Sequence, residues 1–169
     1  MSNMWHNMYN RCYRRDLYPE YEGCTMCPEW LDDYNNFYDW VRENYYTVDN
    51  EKVDNDKDIL VKGNKIYSPE TCCFVPFAIN KLFTKNKASR GKCPIGVYYH
   101  RKKYDAYLNT KNGAKNRRTI GSFNTPEEAF NAYKEAKESW IKEVADKWKD
   151  QLEPRVYKAM YEYQVEITD

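Results

Sequence analysis

The sequence predicts an α+β chain of two domains, the second a three-stranded antiparallel sheet packed on one long helix. Three observations carry this reading. Apolar residues recur at helical spacing in residues 5–12, 28–45 and 126–148. Short alternating runs separated by turn residues fill residues 95–123. Charge is segregated along the chain. Residues 1–84 hold 9 Lys/Arg against 14 Asp/Glu, net −5; residues 85–123 hold 11 against one, Asp105, net +10; residues 124–169 hold 7 against 11, net −4.

A basic block between two acidic ones is the footprint of a polyanion-binding module. The bland alternative is a flexible basic linker, which the strand pattern inside the block disfavours. At 169 residues the chain suits one mid-sized domain or two small ones. With 17 Tyr, 6 Phe and 5 Trp it has apolar area for a core despite 31% charged residues. No run approaches the ~18 apolar residues of a membrane helix, and residues 1–12 lack the apolar stretch of a secretory signal. The expectation is a soluble, cytoplasmic protein with no membrane partner. Its six Cys then read as free thiols or metal ligands.

The elements follow in order. Trp5, Met8, Tyr9 and Cys12 share one helical face. Pro28 opens a helix to residue 45, striped by Trp30, Leu31, Tyr34, Phe37, Trp40 and Val41. Residues 47–57 are polar and acidic and read as a loop. Asp58–Val61, Ile66-Tyr67 and Cys72–Val75 read as short strands, with a turn at Lys62–Lys65 and a one-turn helix start at Ser68-Pro69. A helix begins at Phe77. Residues 1–84 form the first domain, 85–94 a linker and 95–169 the second domain.

In the second domain, strands are expected at Ile95–His100, Lys103–Thr110 and Arg117–Phe123, with a hairpin turn at Lys111-Asn112-Gly113. Thr125-Pro126-Glu127-Glu128 starts a long helix whose apolar face carries Ala129, Phe130, Ala132, Tyr133, Ala136, Trp140, Val144 and Trp148. A short helix over 154–163 and an extended end close the chain.

One helix covers one face of a three-stranded sheet. Alternation sends Val97, Tyr99, Tyr104, Ala106, Leu108, Arg118 and Ile120 toward the helix. The other face then holds Tyr98, His100, Lys103, Tyr107, Arg117 and Thr119, with Arg101 and Lys102 in the turn. Cations interleaved with aromatics and hydroxyls suit phosphate positioning and base-edge contact by a strand-based reader.

The set Gly96-Val97, Tyr104–Ala106, Ile120–Phe123 and Thr125–Tyr133 resembles the plant Apetala-type (ethylene-responsive-factor-like) DNA-binding domain over residues 92–145. The resemblance implies double-stranded DNA as partner, and the open face derived from alternation supplies the contact residues Tyr98, His100, Arg101, Lys103, Tyr107, Arg117 and Thr119. Tyr98 and His100 stand where that family usually has arginines, and Thr119 where tryptophan is common. Its sequence preference therefore does not transfer.

Residues 5–83 resemble the N-terminal part of phage-type HNH endonucleases that carry the same module behind them. The matching pieces are Trp5–Tyr13, Tyr21–Trp30, Asn36–Trp40 and Asp56–Asn80. The resemblance implies a ββα-metal core with flanking helices, a phage origin in the host-cell cytoplasm, and phosphodiester nicking with Mg²⁺ or another divalent metal. Asp56 and Asn80 match the metal-ligand positions, both being oxygen donors suited to Mg²⁺. Lys57 stands where the family carries the histidine base. A lysine with the ordinary pKa near ~10.4 is protonated at neutral pH and needs strong desolvation to accept a proton; as a cation it can hold a phosphate instead. Asp58 is either a further catalytic-site ligand or a solubilising strand edge. His6 reads as a helix-surface residue or a relocated base.

Cys24-x-x-Cys27 has zinc-knuckle spacing, and Cys12 and Cys72 could complete one structural Zn²⁺ site. The alternative makes Cys12 and Cys72 buried small hydrophobes. Cys73 and Cys93 receive no role. Two functions follow: a DNA-binding protein that nicks with a divalent metal, or an inactive nuclease fold that binds DNA or a host protein in counter-defence or regulation.

Overall fold

The computed structural model describes residues 2–48, 51–84, 92–110 and 117–169. The chain is α+β and divides into two compact units: Met1–Phe83 with Gln151–Ala159, and Thr84–Asp150 with Met160–Asp169. The sequence reading counts all of 151–159 with the second domain. Most of its linker, and its hairpin turn at 111–113, lie outside the described residues.

In the first unit, α1 (Ser2–Tyr13) buries Met8 and Cys12 and half-buries Trp5, whose indole N–H donates to Trp30 O at 2.8 Å. Pro28 starts α2 (Pro28–Asp32), but the expected single helix is broken. Asp33 is extended and caps α3 (Tyr34–Asn44), its carboxylate accepting from the Asn35 N–H at 2.8 Å. An Asp competes with the helix for its own backbone donors, so the stripe splits into two helices at that residue. The core gathers Trp30, Phe37, Trp40, Val41 and Phe74 with the Cys12, Cys24, Cys27 and Cys72 thiols. Trp30 packs edge-on to Phe37 at 5.1 Å, and Trp40 stacks on Phe74 at 5.1 Å.

Two strand expectations are corrected. Val53–Asp56, read as loop, is β2. Asp58–Val61, read as strand, is a bend. β2 pairs antiparallel with β4 (Cys73–Pro76), a strand buried along its whole length. That partner overrides the weak β-propensity of Asp-Asn-Asp. The Asp56 carboxylate then accepts from the N–H of Asp58 and Ile59, at 2.7 and 2.8 Å, and turns the chain out of the sheet. β3 (Ile66–Tyr67) pairs in parallel with β1 (Thr25–Met26). Ser68 closes a single turn, its carbonyl accepting from Cys72 N–H at 2.9 Å, and the chain passes directly into β4. α4 (Phe77–Phe83) follows and packs on β2 and β4.

In the second unit, β5 (Val97–His100), β6 (Lys103–Asn109) and β7 (Arg117–Phe123) form an antiparallel sheet in that order. α5 (Pro126–Trp148) covers one face. Thr125 and Glu128 form a full capping box at its start. Its buried side chains are Ala129, Phe130, Tyr133, Ile141 and Ala145. The expected stripe is thus right over its first two turns and then passes through Ile141 and Ala145, leaving Val144 and Trp148 half-buried. α6 (Pro154–Glu162) follows, its residues up to Ala159 belonging to the first unit. Val165 is tied to α5: its carbonyl accepts from Lys134 Nζ at 2.9 Å and its N–H donates to Glu138 Oε1 at 2.8 Å.

Gly96 takes φ +75°, and a Cβ there would lie 2.1 Å from the Tyr133 ring. The close approach of backbone to ring requires glycine.

Candidate nucleic-acid interface

The register builds the open face of the sheet rung by rung. Val97 pairs with Ala106 and Ala106 with Gly121, and these positions face α5. On the opposite face His100 pairs with Lys103, Tyr98 with Asp105 and Asp105 with Ser122, Tyr107 with Thr119, and Asn109 with Arg117. Tyr98 is 58% exposed, and His100, Lys103, Arg117 and Thr119 are exposed as well. Every contact residue of the sequence reading described as part of a strand therefore shares one face.

Ile120 is an extra residue on β7: Ala106 pairs with Gly121, but the next rung joins Tyr107 to Thr119. This bulge shifts the alternation. Phe123 goes to the core and Ser122 to the open face, the reverse of what strict alternation from Thr119 gives. Two residues sorted to the helix side are not covered there. Tyr99 is 53% exposed beside the Tyr104 ring, and Arg118 is exposed opposite Leu108. Each sits one rung from the end of its pairing.

Side chains on the open face contact one another. The Arg117 guanidinium lies over the Tyr107 ring, 4.8 Å from its centroid. Lys103 Nζ donates to Asn124 Oδ1. Asp105, the single acid of the basic block, sits at the centre and is only 7% exposed. Its carboxylate accepts from Ser122 Oγ and, at 3.3 Å, from Tyr107 Oη, while His100 Nδ1 stands 3.8 Å away. Burial and the neighbouring Asp105 carboxylate push the Tyr107 phenol above its ordinary pKa. The hairpin turn joining β5 and β6 puts Arg101 and Lys102 at φ +49° and +63°. Positive φ at both central residues is the type I′ pattern, which Asn-Gly fits far better than two long cations.

Asp105 and Ser122 are the residues that sequence reasoning missed. Alternation did place Asp105 on the open face. Gly121 inside a strand was the available signal for the bulge that brings Ser122 there.

The residues read as a nuclease centre have a different arrangement. Lys57 is 7% exposed, and its Nζ donates to both oxygens of Asp58, at 2.8 Å each, and to Asn64 O at 2.9 Å. The Tyr67 ring lies 5.7 Å beneath it. All three ammonium donors are used inside the loop. Asp56 spends Oδ1 on two backbone N–H groups, and burial holds its carboxyl above the ordinary carboxylate value. Asp58 has both oxygens on Lys57. Asn80 lies on α4, which packs on the strand bearing Asp56. Asp58 is thus paired with Lys57, and Asp56 Oδ1 is held by the backbone of the loop. Among the described residues no three His, Cys, Asp or Glu side chains converge on a common metal position. Cys12, Cys24, Cys27 and Cys72 are buried free thiols within one core cluster of the first unit. Burial raises the Cys12 thiol to about 11 and the Cys72 thiol to about 12. His6 is exposed on α1, next to the Trp5 ring.

No described helix is long and apolar enough to cross a membrane. Comparison with protein-family models, with curated proteins and with solved structures finds no match.

Proposed function

We propose that this chain binds double-stranded DNA through the open face of the β5–β7 sheet, and that its first unit is a non-catalytic scaffold of nuclease-like design. The observation that carries the reading is the open face itself. Arg101, Lys102, Lys103 and Arg117 surround a centre of hydroxyl and aromatic groups, within a segment of net charge +10. Cations at the edge position phosphates, and the centre meets base edges. A twisted strand surface fits the major groove.

In the first unit, β2, β4 and α4 give a strand–strand–helix order, which supports kinship with the HNH design. The engaged state of Lys57 and Asp58 supports a structural role for that segment. The net charge of −5 over residues 1–84 favours a basic protein surface as this unit's partner over a second DNA contact.

The test is a gel shift and a plasmid-nicking assay on the same samples with Mg²⁺ or Mn²⁺. A shift without nicking is the expected result. Nicking that disappears in Asp56→Ala would overturn the non-catalytic assignment.

A further inference from the structure

Resting on DNA binding by the open sheet face, we infer that its centre reads cytosine, with Ser122 and Tyr107 as the contacting groups and Asp105 as the residue that positions them. The argument is one of hydrogen-bond polarity. A hydroxyl has a single proton to donate. Ser122 Oγ and Tyr107 Oη both spend theirs on the Asp105 carboxylate. What each then offers outward is lone pairs. The two hydroxyls that flank Asp105 are thereby outward acceptors, set among the exposed hydroxyls of Tyr98 and Thr119 and the Arg117 guanidinium.

In the major groove guanine presents two acceptors and thymine one acceptor with a methyl group. Adenine pairs a donor with an acceptor, and cytosine presents a donor alone. This pair of acceptors matches cytosine N4 and offers no donor of its own to guanine or thymine. Carboxylate recognition of cytosine N4 is a known pairing. Here the carboxylate is 7% exposed and acts through the two hydroxyls in front of it. The geometry also explains why one acid lies in the midst of eleven cations: it fixes the polarity of the readout, while the cations supply the affinity.

Asp105→Asn separates positioning from packing, because it keeps the shape. An amide nitrogen donates to one hydroxyl, which frees that hydroxyl's proton to point outward. The experiment selects duplexes from a randomised pool with the full chain, with Asp105→Asn and with Ser122→Ala. The unaltered chain should select sites with a fixed cytosine, and changing that cytosine to thymine should weaken binding about 10-fold. Asp105→Asn should bind the two duplexes within about 2-fold of each other, with an unchanged salt slope. Ser122→Ala, an exposed substitution, should lose most of the discrimination if Asp105→Asn fails to fold. A guanine-centred or random selected site would overturn the inference, as would an unchanged preference in the variants. Absence of any duplex binding at low salt would instead overturn the DNA-binding reading on which it rests.

Discussion

Lys57 and Asn64 exchange hydrogen bonds across the loop between β2 and β3. Lys57 Nζ donates to Asn64 O at 2.9 Å, and Asn64 Nδ2 donates back to Lys57 O at 2.9 Å. Asn64 Nδ2 also reaches Ile66 O, and its Oδ1 accepts from Ile66 N–H at 3.1 Å. Lys57 is thus used as a loop staple. Lys57→Ala should lower stability by roughly 1–3 kcal/mol, because it leaves a buried carbonyl unpaired and Asp58 without its cation. Urea unfolding measures this, and duplex affinity of the folded variant should not change. A variant as stable as the parent would remove the staple argument.

Arg117 lies over the Tyr107 ring, and on the proposed DNA-binding reading it is a phosphate contact. Arg117→Ala should weaken binding of all duplexes similarly and reduce the magnitude of the salt slope by about one. Titrations at several salt concentrations give both numbers. A sequence-selective loss would instead make Arg117 a base reader.

Gly96 is fixed by its positive φ and by the Tyr133 ring. Gly96→Ala places a Cβ into that ring and should cost on the order of 2–4 kcal/mol in the second unit. Thermal unfolding followed by circular dichroism tests it, and unchanged melting would contradict the packing described.

Alkaline pH should unfold the first unit early. Cys12, Cys72 and Tyr46 have pKa values raised by burial to about 11, 12 and 12, from ordinary values of 9.0, 9.0 and 10.0. A raised folded-state pKa means that the fold favours the neutral form. That stabilisation is complete below the unfolded values and is lost as pH rises from about 9 toward about 12. Melting temperature should hold up to about pH 8.5 and then fall. Cys12→Ala with Cys72→Ala should flatten the fall, leaving the part from Tyr46, Tyr67 and Cys73, which burial also raises.

The parts that were legible in the sequence are those where local chemistry and tertiary packing agree. The capping residues Thr125 and Glu128 sit at the start of α5, and β7 spans Arg117–Phe123 as alternation predicts. The misread parts are those where one distant partner decides. β2 looks like a loop until β4 supplies its hydrogen bonds. Asp58–Val61 looks like a strand until Asp56 captures the two N–H groups that would have continued it. At the site, the exposed cations and aromatics were legible from period-two alternation. Ser122 was not, because one bulged residue, Ile120, reverses the parity beyond it. Asp105 was visible but silent, since its role depends on two hydroxyls that only the register brings to it.

The most direct test of DNA binding by the sheet face is the salt dependence of affinity for a duplex of about 20 base pairs. Arg101, Lys102, Lys103 and Arg117 lie on or beside that face. Neutralising one phosphate each predicts a slope of log K against log salt of about −3.6. The slope should fall toward zero when these four are replaced by glutamine. Binding that is absent at low salt, or flat across the titration, would contradict the account.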